Sequence, residues 1–277
     1  MSKSYSTSQE DAQKKYSLTS KCSRSSESNA RWSPTVPRDV DFGCTEMPYL
    51  IEDGISKEQF EGFFCDLEVH AYEGFKWEWS EGRVWIYELV GQPHERASSE
   101  FERELISLSI LGGWGDSISY NGSTRLINPN PNESNWEPDR SFLPAGRNGP
   151  PGDVDGLDPY PTMVVEVASS ETTQHVLNKV TSYLSPDTSI QIVIVIEVRR
   201  TIEGTGSLQL WKFQRDRSDL HFELGDPNCT MPNDPRFQLA LPVHLVFDNA
   251  PIPHSLVGVA NVVLDLFAWK RHFLRGR

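Results

Sequence analysis

The feature that most constrains the fold is the run IQIVIVIEV at positions 190–198. Its β-branched side chains disfavour a helix. Because both faces of the extended run are apolar, it predicts a central strand that is covered on both sides. An apolar segment at 163–167 predicts another strand, and the spacing of apolar residues predicts a helix over about 172–184 between the two. Such a strand–helix–strand unit is typical of a mixed α/β domain.

Local signals predict further elements on either side of this unit. Ser56 and Gln59 have the spacing of a capping box at the start of a helix, and Gly82 marks a turn before a strand over about 83–90. The remaining predicted elements are a helix over about 94–111, strands near 123–127 and 140–143, a Pro/Gly-rich loop over 144–161, a hairpin over 207–224 and an amphipathic segment over about 255–274.

The composition changes along the chain and predicts its division into regions. Residues 1–45 are rich in Ser and poor in large apolar side chains, so they predict a disordered tail. Residues 46–250 are expected to form the folded domain, and 251–277 a C-terminal amphipathic helix that packs on it or extends it. The N-terminus lacks the apolar core of a signal peptide, and no apolar stretch is long enough to cross a bilayer. We therefore expect an intracellular protein, cytoplasmic or nuclear, without a membrane partner.

Cysteine spacing and net charge argue against several classes of protein. The four cysteines stand apart from one another, so neither a zinc site nor a disulfide framework is predicted. The net charge of -13 argues against a protein that binds duplex DNA strongly and without specificity. A nuclease is still compatible with this charge, since metal ions neutralise acidic ligands.

Charged residues in or beside the predicted elements are candidates for a site. Glu166 lies inside an apolar strand, where a carboxylate is costly unless it is paired or binds a metal. Asp139 follows Pro138 where a strand begins, and carboxylates on adjacent strands could together hold a cation such as Mg²⁺. Lys179 borders the apolar side of its helix, where its ammonium could orient a water or stabilise charge on a phosphate.

Each of these residues also has a purely structural interpretation. Glu166 could reach solvent at a strand end or pair with an Arg, and Asp139 could belong to an ordinary Pro-Asp turn. Lys179 could lay its aliphatic stem along apolar surface with its charge in water. The residues taken singly leave these alternatives open.

The segments WEWSEGRVW, PHERA, EPDRSFLP, PTMVVEVASS and IVIVIEV occur in an order that resembles the Uma-type family of restriction-endonuclease-like proteins. That family belongs to the PD-(D/E)XK nuclease superfamily, and the resemblance extends over residues 77–198. It implies an α/β fold with a restriction-endonuclease-like core, in which helices flank a mixed central sheet. It also implies an endonuclease that depends on Mg²⁺ or Mn²⁺ and hydrolyses phosphodiester bonds of DNA.

The resemblance assigns roles residue by residue. Asp139 matches the Asp of the PD motif and Glu166 the acidic position of the next core strand, so both are implied metal ligands. Ala168 stands where the superfamily usually has its Lys, and Lys179 on the following helix matches the displaced Lys. Tyr183 follows that Lys by four positions.

Glu78 and His94 complete the implied site. Glu78 precedes Gly82 as in the aromatic-Glu turn of the family, and His94 matches the His that opens the next helix. Without the resemblance, Glu78 would be interpreted as a surface residue and His94 as a capping or packing residue. At position 175, where the family commonly has Asp, this chain has His.

Other functions are compatible with the same fold. One is a catalytically weakened module for binding or regulation, with the Ser-rich tail as its interaction arm. Another is an accidental match, which would leave Asp139, Glu166 and Lys179 far apart in the structure. DNA is the expected substrate, and the acidic net charge predicts weak sequence-independent binding. A homodimer is one of the assemblies that the sequence allows.

Overall fold

The computed structural model describes Pro34 and residues 47–64, 75–199, 207–215, 219–225 and 228–275. The predicted disordered tail, apart from Pro34, lies outside the described residues. The strands are β1 Tyr49–Asp53, β2 Phe75–Ser80, β3 Arg83–Leu89, β4 Ile118–Tyr120, β5 Arg140–Pro144, β6 Met163–Ala168, β7 Ile192–Arg199, β8 Ser207–Gln214, β9 Leu220–Glu223, β10 Gln238–Pro242 and β11 Asn261–Asp265. The helices are α1 Lys57–Phe64, α2 Gln92–Leu111, α3 Thr173–Tyr183, α4 Val243–Val246 and α5 Leu266–Arg275.

The main sheet has six strands in the order β4-β5-β6-β7-β8-β9. β6 and β7 run parallel, and the other neighbouring strands run antiparallel. β7 lies between β6 and β8, and its side chains from Ile192 to Val198 are buried. The run at 190–198 is therefore the central strand that its composition predicts, and the α/β fold with a mixed central sheet is confirmed.

Helices cover both faces of this sheet, and the alternation along β6 decides which residue meets which helix. Val165 and Val167 pack in the same core cluster as Phe101 of α2, whereas Val164 packs with Val180 of α3. Because successive side chains of a strand point to opposite faces, Glu166 shares the face of Val164. The single carboxylate inside β6 thus lies on the side of the sheet that α3 covers.

A second, three-stranded sheet in the order β1-β3-β2 precedes α2. The turn that the sequence predicts at Gly82 connects β2 and β3, and its residues Glu81 and Gly82 both have positive φ. The predicted capping box of α1 is confirmed: Gln59 N donates to Ser56 Oγ at 3.2 Å, and Ser56 N donates to Gln59 Oε1 at 2.8 Å. Lys76 of β2 is opposite Glu88 of β3 in this sheet.

The structure corrects the predicted helix over 251–277. Residues 261–265 form β11, which pairs with β10, because Val262 and Leu264 alternate with exposed residues and so bury one face of a strand. The helix α5 begins only at Leu266, and Trp269 packs edge-on against Phe101 of α2 at 6.3 Å between ring centroids. The division of the chain at residue 250 stays a prediction.

The predicted strand at 123–127 is also wrong. Leu126 forms isolated bridges to Trp136 and Asp153, and no named strand includes it. The backbone there forms hydrogen bonds with Trp136 and with residues 152 and 154 of the 144–161 loop, and these single contacts do not build a strand. No helix in the described ranges has both the length and the apolar character that a membrane span requires.

We expect Phe101→Ala to lower the free energy of unfolding by about 3–5 kcal/mol, because it leaves a cavity where α2 meets the main sheet and α5. The matched control is Ile110→Ala on the same helix, where the side chain is 67% exposed. That variant should stay within about 0.5 kcal/mol of the wild type. Urea unfolding followed by circular dichroism measures both values, and equal values would contradict this packing.

Candidate active site

Acidic and basic side chains meet in one buried region between the β2–β3 hairpin, the start of α2, strand β6 and helix α3. We call this group the charged cluster. Its acidic members are Glu78, Glu88, Asp139, Glu166 and Glu171, and its basic members are Lys76, His94, His175 and Lys179.

Asp139 and Glu166 become neighbours through the register of the main sheet. Arg140 of β5 pairs with Val165 of β6 in antiparallel order, so the residues next in line are Asp139 and Glu166. Both are buried, with 5% and 1% of their surface exposed. Asp139 Oδ2 accepts a hydrogen bond of 2.6 Å from the backbone of Val167, which fixes its carboxylate beside β6.

Lys76 lies between these carboxylates. Its Nζ is 2.9 Å from Asp139 Oδ1, 3.1 Å from Glu166 Oε2 and 3.6 Å from Glu88 Oε2. We call the point between Asp139 Oδ1 and Glu166 Oε2, which Lys76 Nζ occupies, the cation position. Lys76 and Glu88 are not among the site residues that the sequence predicts. Their similar distances along the chain from the Gly82 turn could have revealed them as a cross-strand pair.

Lys179 reaches the same region from α3. Its Nζ is 2.9 Å from Glu171 Oε1, 3.4 Å from Glu78 Oε1 and 3.9 Å from Glu166 Oε2. Ala168, the position of the usual superfamily Lys, is buried against the α3 face. Two ammonium groups therefore approach Glu166 from outside β6: that of Lys179 from α3 and that of Lys76 from β2.

His175 and Glu171 form a second pair around Glu78. His175 Nε2 is 2.9 Å from both Glu78 Oε1 and Glu171 Oε1, and its ring stacks on Tyr87 at 3.6 Å between centroids. The carboxylate closest to Lys179 thus comes from Glu171 rather than from position 175. Glu171 was missed in the sequence, although its place one helical turn before His175 is a recognisable signal.

His94 lies behind Asp139 at the beginning of α2. Its Nε2 is 3.3 Å from Asp139 Oδ2 and 3.5 Å from Glu88 Oε2, and the side chain is 1% exposed. Burial favours the neutral ring, but the contacts with Asp139 and Glu88 outweigh it and raise the pKa of His94 from 6.5 to about 9. His94 and Lys76 thus contact different oxygens of Asp139, Oδ2 and Oδ1 respectively.

Burial and neighbouring charges move the pKa values of Asp139 and Glu166 in opposite directions. Burial alone would raise the pKa of Asp139, but the Lys76 ammonium and His94 hold it well below its usual range. Burial raises the pKa of Glu166 despite the attraction of Lys76 and Lys179. Tyr183 donates a hydrogen bond of 2.5 Å to Glu166 Oε1, which stabilises the carboxylate form.

A cavity of about 390 Å³ opens onto the cluster. Asp139, Glu166, Lys179 and Glu78, which the sequence identified as candidates, line it together with Lys76, whereas the cavity lining does not include His94. Aromatic side chains from β2, β3 and the loop at 136 form part of the wall. Asp139, Glu166 and Lys179 thus line one cavity and are not far apart, as they would be if the family match were accidental.

The donor atoms of the cluster suit a hard divalent cation. Asp139 and Glu166 offer carboxylate oxygens on either side of a positive charge, and Glu88 Oε2 is buried without a hydrogen bond. A different group, Glu78, Glu171 and His175, has ligand atoms within 4.8 Å of one another in the described part of the chain. An ammonium group lies against each of the two groups: Lys179 Nζ is 2.9 Å from Glu171 Oε1, and Lys76 Nζ is 2.9 Å from Asp139 Oδ1.

Two comparisons with known proteins give matches to this chain. The family model Uma2, described as "Putative restriction endonuclease", matches residues 62–220. A crystal structure described as "a putative nuclease belonging to DUF820" from Anabaena variabilis aligns over 72% of this chain and 91% of that chain, with 13% sequence identity and a TM-score of 0.44. No curated protein gives a significant match.

The raised pKa of His94 predicts a pH-dependent stability in the metal-free protein. Because the folded pKa of about 9 exceeds the ordinary 6.5, the contribution is complete below about pH 6.5 and is lost as pH rises through about 9. The stability advantage of the wild type over His94→Gln should shrink by about 2–3 kcal/mol across that window. Urea unfolding in EDTA measures it, with exposed His254→Gln as the control.

The outcome that contradicts this expectation is a difference between wild type and His94→Gln that stays constant from pH 6 to pH 10. An NMR titration of the His94 ring tests the same point directly. It should give a midpoint near the pKa of about 9, and a midpoint below neutral pH would show that the contacts with Asp139 and Glu88 do not keep the ring protonated.

Proposed function

The chain belongs to the Uma2 family, whose model covers more than half of its length, and from this premise we propose that it is a divalent-metal-dependent endonuclease that hydrolyses phosphodiester bonds of DNA. The observation that carries the proposal is the convergence of Asp139 and Glu166, from adjacent strands, on one cation position. Lys179 lies 3.9 Å from Glu166 at the same cavity, as a phosphate-directed lysine requires.

Asp139 and Glu166 would hold the metal, Mg²⁺ or Mn²⁺. When bound, the ion would lower the pKa of a coordinated water and offset the charge of the phosphate. Both ligands are oriented by other groups: Asp139 by the Val167 backbone and His94, Glu166 by the Tyr183 hydroxyl. Such supporting contacts fix ligand geometry and are typical of protein metal sites.

Lys179 is the group that we assign to the reacting phosphate. Its ammonium is held at the cavity wall by Glu171 and Glu78, so that its charge is placed before substrate arrives. A fixed positive charge at that place stabilises the additional negative charge that develops as water attacks phosphorus. In this proposal Glu78 belongs to the site by positioning Lys179 and His175.

DNA is the proposed substrate, and the charge of the chain limits how it is bound. With a net charge of -13, the protein gains little from sequence-independent contacts with phosphates. Binding would therefore depend on the metal and on the cavity, and it would require a divalent cation more strongly than is usual for a basic DNA-binding protein.

A binding or regulatory module with the same fold is the second candidate. The observation that favours it is Lys76, whose ammonium already neutralises both proposed metal ligands. Titration of Mn²⁺ into the protein separates the candidates. A module would neither bind Mn²⁺ at the charged cluster nor cleave any nucleic acid.

We expect Asp139→Asn to reduce metal-dependent DNA cleavage at least about a hundredfold. The substitution removes a metal ligand, and the loss of a bound metal costs several kcal/mol of transition-state stabilisation. The measurement is cleavage of plasmid DNA with Mg²⁺ or Mn²⁺, with EDTA as the blank and circular dichroism as the check of folding. Asp155→Asn, in the exposed part of the 144–161 loop, is the matched control. Undiminished cleavage by Asp139→Asn would refute the assignment.

Lys179→Met should lower the rate of cleavage about a hundredfold or more, because it removes the positive charge that we assign to the phosphate. Mn²⁺ binding should be retained, since the substitution leaves both proposed metal ligands, Asp139 and Glu166, in place. The matched control is Lys57→Met at the start of α1, outside the charged cluster. Single-turnover cleavage gives the rate, and calorimetry gives the Mn²⁺ affinity. A variant with wild-type rate would remove Lys179 from the mechanism.

A further inference from the structure

Lys76 has no role in the proposed function so far, although it makes the shortest contact with Asp139 of any basic group in the cluster. We propose that Lys76 is an internal counter-cation of the metal site: its ammonium occupies the cation position in the metal-free protein and must leave before a divalent ion can bind there. This inference rests on the proposed function in taking Asp139 and Glu166 as the metal ligands.

The distances show why the ammonium and a metal exclude each other. Lys76 Nζ is 2.9 Å from Asp139 Oδ1 and 3.1 Å from Glu166 Oε2, both within the range of direct charge-assisted hydrogen bonds. A divalent ion held by Asp139 and Glu166 would compete with the Lys76 ammonium for the same carboxylate oxygens. The positive charges of the ammonium and of a divalent ion would also repel each other strongly if both lay beside these buried oxygens.

Burial explains why this position needs a cation at all times. The side chains of Asp139 and Glu166 are 7% and 1% exposed, and that of Lys76 is 15% exposed. A buried carboxylate without a partner is strongly destabilising. Lys76 therefore protects the fold in the absence of metal, and a bound metal would take over that role.

The neighbouring strand offers Lys76 a second partner. Glu88 is opposite Lys76 in the β2–β3 register, and its buried Oε2 is 3.6 Å from Lys76 Nζ and 3.5 Å from His94 Nε2. A short rotation of the flexible lysine side chain toward Glu88 frees the cation position and keeps the ammonium paired. Lys76 also lines the cavity, so the displaced charge stays where a phosphate would enter.

Lys179 serves as the control that distinguishes the release of Lys76 from the cation position from a simple change in the charge of the cluster. It carries the same charge and belongs to the same cluster, but it is held by Glu171 at 2.9 Å and lies 3.9 Å from Glu166. Neutralising Lys179 makes the cluster more negative without vacating the cation position. Neutralising Lys76 makes the cluster more negative and also vacates the cation position.

The first experiment compares Mn²⁺ affinity, by calorimetry and by the electron paramagnetic resonance of free Mn²⁺, in the wild type, Lys76→Met and Lys179→Met. We expect Lys76→Met to bind Mn²⁺ at least about tenfold more tightly than Lys179→Met, because only the former removes a competitor from the site. Equal affinities in the two variants, or an affinity of Lys76→Met no higher than that of the wild type, would overturn the inference.

The second experiment uses the wild-type protein, in case Lys76→Met does not fold. Reductive methylation is followed by mass spectrometry of Lys76 and, as an internal control, of Lys57. Saturating Mg²⁺ should accelerate methylation of Lys76 at least about threefold relative to Lys57, since an ammonium released from buried carboxylates is more accessible to the reagent. An unchanged ratio would show that Lys76 does not move.

Cleavage assays distinguish failure of the inference from failure of the proposed function. If the wild type cleaves DNA with Mn²⁺ while Lys76→Met binds the ion no more tightly, the nuclease stands and the displacement of Lys76 is wrong. If only Lys76→Met binds Mn²⁺ and the wild type does not cleave, the inference holds and the native chain is not a nuclease. If neither protein binds Mn²⁺, both are refuted.

Discussion

A buried carboxylate keeps its charge only beside a positive group, and the charged cluster is organised around this requirement. Asp139 and Glu166 are both almost fully buried, and Lys76 lies between them. Around this centre, His94 supports Asp139, while Lys179 connects Glu166 to Glu171 and Glu78. Several buried carboxylates without partners would destabilise the fold. Because Lys76 pairs with them, they instead connect the three-stranded sheet to the six-stranded sheet. The same pairing preserves oxygen ligands for a cation.

The geometry of the main sheet determines where this concentration of charge can lie. In β6 the apolar side chains on one face pack toward α2 and α5, and those on the other face pack toward α3. Glu166 is on the α3 face, where Lys179 and Tyr183 can reach it from consecutive turns of that helix. The antiparallel register with β5 adds Asp139 at the adjacent position. A carboxylate one position earlier or later in β6 would instead meet the apolar surface of α2.

The elements and residues that could be predicted from the sequence are those whose signal is local or fits a recognised pattern. The apolar run of β7, the capping box of Ser56 and the Glu inside β6 all follow from side-chain type and spacing, and the structure has them where they were expected. Asp139 and Lys179 required the family resemblance, because each has an ordinary structural explanation by itself. Lys76 and Glu88 were missed because their role arises from a cross-strand register and from contacts with distant residues, such as the 90-residue separation of Lys76 and Glu166. The strand β11 was hidden within an amphipathic segment because a short strand and a helix can carry similar apolar spacing.

The separation of Lys76 from Glu166 along the chain also bears on how the molecule folds. Lys76 belongs to the small β1-β3-β2 sheet, and Glu166 belongs to the six-stranded sheet. A contact between residues so far apart in sequence costs more chain entropy than a local contact. The β2–β3 hairpin and the α3 unit consist of local contacts and can form without it. Until the two sheets meet, the acidic side chains remain hydrated and repel one another weakly in water. The ion pairs of Lys76 with Asp139 and Glu166 therefore form only when the two sheets come together, and they connect one sheet to the other.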